Sequence, residues 1–276
     1  MRNIPLKSVD NIARDVIALG TDYLPDTLLE YHAHRRAQFL YPATGLIEVS
    51  TADGEWVIPP SCGVWIPEQV AHETRMLNVS TRSLYIEPAA KPRHAVSCEV
   101  VSVSPLLRQL LLEAVDIPAE YDIQGRDGVL MQLILCELAR MPPLPFFAPI
   151  PRDEKLGRLC REFMRKPVIT SQPGEWAEQL HKSERSFSRF FRTQTGMSFS
   201  EWRQQACLLN SLSHILSGKS ITEVAYELGY NSAGAFSIMF KKQMGQSLPI
   251  LKMMIRISAI FKLFFNKYNL IIMCRR

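Results

Sequence analysis

Ser183-Glu-Arg-Ser-Phe187-Ser-Arg-Phe-Phe191-Arg-Thr-Gln-Thr195-Gly196 is the stretch that decides how the carboxy-terminal half of this chain folds. Ser183 is an N-cap residue, and Gly196 is a helix stop that accepts the left-handed conformation. Between them Phe187, Phe190 and Phe191 fall on one face of the predicted helix, leaving Glu184, Arg185, Ser188, Arg189 and Arg192 on the other. A short amphipathic segment, Trp176-Ala177-Glu178-Gln179-Leu180, precedes it. The same plan recurs at Ile221 to Leu228, a Gly229-Tyr230-Asn231 turn, and Ser232 to Met244, with Phe236 and Phe240 inward and Ser237, Lys241 and Lys242 outward. An apolar inner face holds each second helix on its partner, and a polar, basic outer face suits a major groove.

Working outward, Ser198-x-x-Glu201 and Ser220-x-x-Glu223 are capping boxes that open a long and a short helix. The long one, from Phe199 to Ser217, spans roughly 28 Å at about 1.5 Å per residue. That is close to the ~34 Å repeat of a duplex turn, so the rod can set two reading helices in successive grooves. Upstream, a helix from about Asp153 to Lys166 stops before Pro167, and Pro173 suits the first turn of the next.

Charge follows the same division. The 276 residues carry a formal net charge of +5. Residues 1–151 hold 12 basic and 18 acidic residues, residues 152–249 hold 14 and 9, and residues 250–276 hold six basic and no acidic ones. An acidic half followed by a basic one suits a small-molecule or protein partner and then a polyanion. The six cysteines are scattered without a C-x-x-C pair, and Met1 to Asp15 lacks a signal-peptide apolar core, so a cytoplasmic chain with reduced thiols is expected. There is no phosphate-binding Gly-rich loop, nucleophile elbow or H-E-x-x-H motif.

The amino-terminal half reads as short strands from about residue 37 to 87, with Asp53-Gly54 as a hairpin turn. Leu107, Leu110, Leu111 and Ala114, and then Leu130, Leu133, Ile134 and Leu138, mark two helices; their stripes suit covering the sheet or a dimer contact equally. The predicted fold class is α+β: a β-barrel with two helices, then an all-α domain of two helix-turn-helix units joined by a long helix. The expected divisions are a sensor and dimerisation domain at 1–141, a Pro-rich spacer at 142–151, a DNA-binding domain at 152–249 and an atypical basic apolar tail at 250–276. The tail, with no Asp, Glu, Gly or Pro, reads as a non-native terminus.

Ala177 to Pro249 resembles the DNA-binding domain of AraC/XylS-type transcription regulators. The matching stretches are Trp176-Ala-Glu-Gln-Leu, Ser183-x-x-x-Phe187-Ser-Arg-Phe-Phe191, Thr195-Gly-Met-Ser-Phe199 and Ile221-Thr-Glu-Val-Ala-Tyr-Glu-Leu-Gly-Tyr230 with Phe236-Ser-x-x-Phe240-Lys. The resemblance implies promoter or operator binding to double-stranded DNA. Its reading residues would be Glu184, Arg185, Ser188, Arg189 and Arg192 in the first unit, and Ser232, Ala233, Ala235, Ser237, Lys241 and Lys242 in the second. The small Ala233-Gly234-Ala235 front cannot make bidentate base contacts, which assigns base discrimination to the first unit, above all to Arg185 and Arg189.

The amino-terminal half resembles the cupins through His32-x-His34-x-x-x-Gln38-x-x-x-x-x-x-Gly45 and Pro67-x-Gln69-x-x-His72, with Gln38 where Glu often stands and Gln69 replacing a glycine. It implies an effector pocket at His32, His34, Gln38 and His72. No metal or cofactor is assigned; were an ion bound, His32, His34 and His72 would supply three nitrogens. Arg35, Trp65 and Tyr85 are open between fold and pocket. The reading is a transcription regulator with a small-molecule effector, without catalytic residues, acting as a homodimer, with RNA polymerase as a further partner. The alternative is a metal-dependent cupin enzyme with an accessory helical domain.

Overall fold

Most strands in the first half arise where buried β-branched and aromatic residues cluster. In the computed structural model, which describes residues 3–59, 62–144, 146–216 and 218–244, they are β1 (Val16–Asp22), β2 (Thr27–His32), β3 (Ala37–Thr51), β4 (Gly54–Ile58), β5 (Cys62–Ile66), β6 (His72–Ile86) and β7 (Glu99–Ser102). Helices α1 (Pro105–Ala114) and α2 (Arg126–Arg140) and strands β8 (Pro143–Leu144) and β9 (Phe147–Pro149) follow. Helices α3 (Glu154–Arg165), α4 (Pro173–Gln179), α5 (Glu184–Thr195), α6 (Phe199–Leu216), α7 (Ile221–Glu227) and α8 (Ala233–Met244) complete the described chain. The basic tail at 250–276 lies outside the described residues. The chain divides into two units, Met1–Val49 with Ile58–Pro145, and Ser50–Val57 with Phe146–Met253.

In the first unit the strands run β1-β6-β3-β5-β7-β8, with β2 also on β6. The 15-residue β6 neighbours β3 and has two further, antiparallel partners: Ile86 to Ser80 face β1, and Met76 to His72 face β2 in the register Thr27↔Met76 and His32↔His72. Phe39, Tyr41, Trp65, Leu84 and Ile86 share one apolar cluster with Leu107, Leu111, Ile134 and Leu138, so the inner stripes of α1 and α2 cover the sheet. The Ser104 side chain caps α1 by accepting from Leu107 N–H at 3.0 Å, with Pro105 in the first turn. Trp65 belongs to this core, and Arg35 to a surface network in which it pairs with Glu87 at 2.7 Å.

Gly45 lies in mid-β3 at φ +72°, where an added Cβ would fall 2.3 Å from Asn78 O and 2.5 Å from Leu77 O. The neighbouring atoms are backbone of β6 and cannot rotate away. Gly45→Ala is expected to lower unfolding free energy by about 2 kcal/mol or more, combining left-handed strain with the clash. Urea unfolding followed by circular dichroism measures this; an unchanged midpoint contradicts it. Gln69, between β5 and β6, adopts the left-handed conformation at φ +62°.

In the second unit, β4 pairs antiparallel with β9, Gly54↔Pro149 and Trp56↔Phe147. The Trp56 and Phe147 rings stack with centroids 4.5 Å apart. This corrects the reading of 142–151 as a spacer: Phe146, Ala148 and Ile150 are buried, and β8 pairs with β7 in the first unit. Proline composition suggested a rod, but the alternating apolar residues between the prolines drive the segment into strand pairing.

The helical caps form where the sequence predicts them. Asp153 accepts from Leu156 N–H and Ser183 from Ser186 N–H, and the Ser220–Glu223 capping box is complete. Gly196 ends α5 at φ +74° and Gly229 follows α7 at φ +78°. The 18-residue α6 rises about 27 Å; Ser217, Gly245 and Pro249 lie outside the described residues. Phe187 and Phe191 are fully buried, joining Trp176, Phe199, Trp202 and Phe163 at ring separations of 4.9–6.4 Å. Phe190 departs from the expected inner face: it is half-buried, with the Lys182 ammonium 4.5 Å from its ring centroid.

Candidate nucleic-acid interface

Two buried phenylalanines fix the roll of α5 about its axis, and that roll decides what faces solvent. Glu184, Arg185, Ser188, Arg189 and Arg192 are all exposed. No hydrogen bond or ion pair ties the guanidinium groups of Arg185 and Arg189 among the described residues, so both donor forks are available to a ligand. α5 therefore presents a cationic ridge one helix wide.

The face of α8 is different. Phe236 and Phe240 are buried, and Ala235, Lys241 and Lys242 are exposed. The Ser232 hydroxyl accepts from Ala235 N–H at 3.1 Å, serving as a helix cap. The half-buried Ser237 hydroxyl donates to Ala233 O at 2.8 Å, and Ala233 is itself half-buried. Ile238, at 73% exposure, occupies the middle of the outer face, one turn from Gly234 and Ala235 and one turn from Lys241 and Lys242. Sequence reasoning missed it. The signal was present, because Ile238 is out of phase with Phe236 and Phe240 on a helical wheel.

In the first unit, the three histidines come together. His32 at the end of β2 faces His72 at the start of β6, and His34 follows in the loop to β3. Ring centroids are 4.5 Å apart for His32–His72, 4.8 Å for His32–His34 and 5.2 Å for His34–His72. His32 Nδ1 lies 2.6 Å from Glu30 O and His72 Nδ1 lies 2.9 Å from Val70 O. A carbonyl only accepts, so both Nδ1 atoms carry a proton, and in the neutral ring the lone pair is then on Nε2. Burial, then the neighbouring His72 and His32 imidazoles, hold the His34 pKa down at about 4. Burial likewise lowers that of His72. Gln38 Nε2 donates to Tyr85 OH at 3.2 Å, which places Tyr85 beside the cluster.

A helix-turn-helix domain model matches residues 176–249. The HTH-type transcriptional regulator NimR of Escherichia coli K12 is 32% identical over 232 residues, covering 84% of this chain and 84% of its own length. The chain belongs to the AraC/XylS-type transcription regulators. The regulator RipA of Corynebacterium glutamicum is 30% identical over 99 residues, 35% of this chain and 29% of its own. Among solved structures, ToxT from Vibrio cholerae O395 is 13% identical, covering 87% of this chain and 98% of that one at a TM-score of 0.37. The DNA-binding domain of AdpA in complex with a target DNA is 24% identical over 36% of this chain and 91% of that one, TM-score 0.34. Membership in the AraC/XylS regulators rests on the sequence relationship and not on these overlaps. Both curated relatives are transcription regulators and lend nothing to the cupin-enzyme alternative.

This AraC/XylS-type chain is thus a DNA-binding transcription regulator with a β unit and a helical helix-turn-helix unit. Among the described residues no helix is long and apolar enough to cross a membrane.

Proposed function

We propose that this regulator binds promoter or operator DNA with the outer faces of α5 and α8 and reads bases mainly through Arg185 and Arg189. The untied, exposed guanidinium groups of α5 carry this reading. Glu184, Ser188 and Arg192 complete that face. On α8, Lys241 and Lys242 contact phosphates, while Ala235 and Ile238 offer apolar surface to thymine methyl groups. Ser232, Ala233 and Ser237 shape the helix start, since both hydroxyls are engaged within it.

The first unit is a cupin-like barrel whose pocket, at His32, His34, Gln38 and His72, takes a small effector. Effector binding shifts the chain between two states of unequal DNA affinity. Exposed Leu106, Val129 and Leu133 on α1 and α2 make these helices the homodimer contact. The protein acts in the cytoplasm, with RNA polymerase as a further partner.

A mobility-shift series against the DNA upstream of its own coding sequence, repeated over salt, tests the central claim. Specific binding is expected, with a log–log salt slope that falls by about one for each of Lys241 and Lys242 changed to Ala. Equal affinity for upstream and random DNA at every salt concentration would overturn it.

A further inference from the structure

Two reading helices in successive major grooves must agree with the duplex in rotation as well as in separation, since each base pair turns the groove by about 34–36°. The rod α6 sets the separation. The rotation depends on what else holds the α7–α8 pair. Glu227 pairs with Lys219 at 2.7 Å and with His214 at 2.9 Å, tying α7 to the end of α6, but at mostly exposed positions where salt screens the attraction. A second connection runs through the segment 167–172 between α3 and α4. Ile169 N–H donates to Leu228 O, at the end of α7, at 2.8 Å. Thr170 packs on the α7–α8 turn: a Cβ on Gly229 would sit 3.5 Å from Thr170 Oγ1 and 3.8 Å from Ile169 N. Next in that turn, the Tyr230 ring meets the buried Phe236 of α8 with centroids 5.4 Å apart.

The same segment is anchored on its other side to the first helix-turn-helix unit. Trp176 Nε1–H of α4 donates to Ser171 Oγ at 3.0 Å, and the indole lies against Phe187 and Phe191 of α5, each at 6.4 Å. A continuous chain of contacts thus joins α5 to α8 without passing along α6. Arg203 pins that chain to the rod. Its guanidinium group donates from Nη1 to Ser171 O and lies 5.7 Å from the Phe199 ring centroid, two contacts that give a planar fork one orientation. We propose that the segment 167–172 is a strut fixing the rotation of α8 relative to α5, with Arg203 and Ser171 as positioning residues, so that the regulator selects DNA by the number of base pairs between two half-motifs. The inference rests on the reading of α5 and α8 as the two DNA-contacting helices.

The test uses the full-length chain and the duplexes it enriches from a random-sequence pool. Two half-motifs at one fixed spacing are expected, and moving them one base pair apart should weaken binding about tenfold, the size of a base-pair mismatch. Arg203→Met removes the donor to Ser171 O and leaves the outer faces of α5 and α8 unaltered. It should weaken binding at the parental spacing and bring the two sites within about threefold of each other, less than a single mismatch costs. Arg203→Lys, which keeps a donor within reach of Ser171 O, should restore most of the dependence. Trp202→Phe, also on α6 but outside the strut, should keep the parental profile despite its lower stability, which separates positioning from loss of fold. Two glycines inserted between Thr170 and Ser171 slacken the segment and should flatten the profile as well. Circular dichroism checks folding, and the insertion carries the test if Arg203→Met does not fold. A folded variant of either kind that keeps the parental spacing dependence overturns the strut and leaves the two-helix reading standing. A parent that enriches a single half-motif, or two at no fixed spacing, overturns that reading and the strut with it.

Discussion

Arg189→Ala is expected to reduce the ratio of operator to random-DNA affinity by about tenfold or more, because a bidentate arginine–guanine pair contributes ~1–3 kcal/mol of base discrimination. The side chain stands on the exposed face of α5, one turn from Arg185 and Arg192, with its helix locked in roll by Phe187 and Phe191. No partner within the described protein competes for its guanidinium group. Lys242→Ala makes the informative contrast. A lysine contacting phosphate acts as a point charge, so its loss should weaken operator and random DNA alike and lower the salt slope by about one. Competition binding with both DNAs separates the two outcomes. Equal losses on both DNAs for Arg189→Ala would remove it from the base-reading set.

Trp202→Ala is expected to destabilise the helical unit by ~3–5 kcal/mol, the range for truncating a buried aromatic. The indole is fully buried on α6, with the rings of Phe163, Trp176 and Phe191 at centroid distances of 5.6–5.9 Å. Its Nε1–H donates to Pro149 O at 2.8 Å, so truncation also removes that hydrogen bond. Trp202→Phe keeps most of the ring contacts and loses only that bond, which should cost about 1–2 kcal/mol. Chemical denaturation of both variants checks the order. A Trp202→Ala protein as stable as the parent would mean that α6 does not organise this unit.

The helical half was legible in the sequence because its punctuation is local. Ser183, Ser220, Gly196 and Gly229 act within a few residues of themselves, and each cap or stop appears in place. The candidate arginines of α5 were legible for the same reason, since helical spacing alone puts them opposite two phenylalanines. Ser232 and Ser237 were harder: their types suit base contact, and only the local geometry shows their hydroxyls engaged with the helix backbone. Ile238 was passed over because attention to hydrogen-bonding side chains discounted an exposed apolar one.

The Pro-rich segment failed for a physical reason of another kind. Its composition describes an isolated chain, and its structure comes from residues nearly a hundred positions earlier: Trp56 receives Phe147, and Gly54 leaves room for that ring. The histidine cluster lies between these cases. The spacing of His32 and His34 is local, but His72 joins them through the β2–β6 register, and the outer partners on Glu30 and Val70 are backbone atoms that no motif records.

That pairing of β4 with β9 has a practical consequence for anyone building hybrid regulators. The helical unit is not a cassette that begins at one point in the gene. Cut after residue 151, the fragment leaves behind the carbonyl that receives Trp202 and the buried Phe146, Ala148 and Ile150. It also leaves behind Ser50–Val57, which belongs to the same unit. A working graft has to move two separate pieces of coding sequence together.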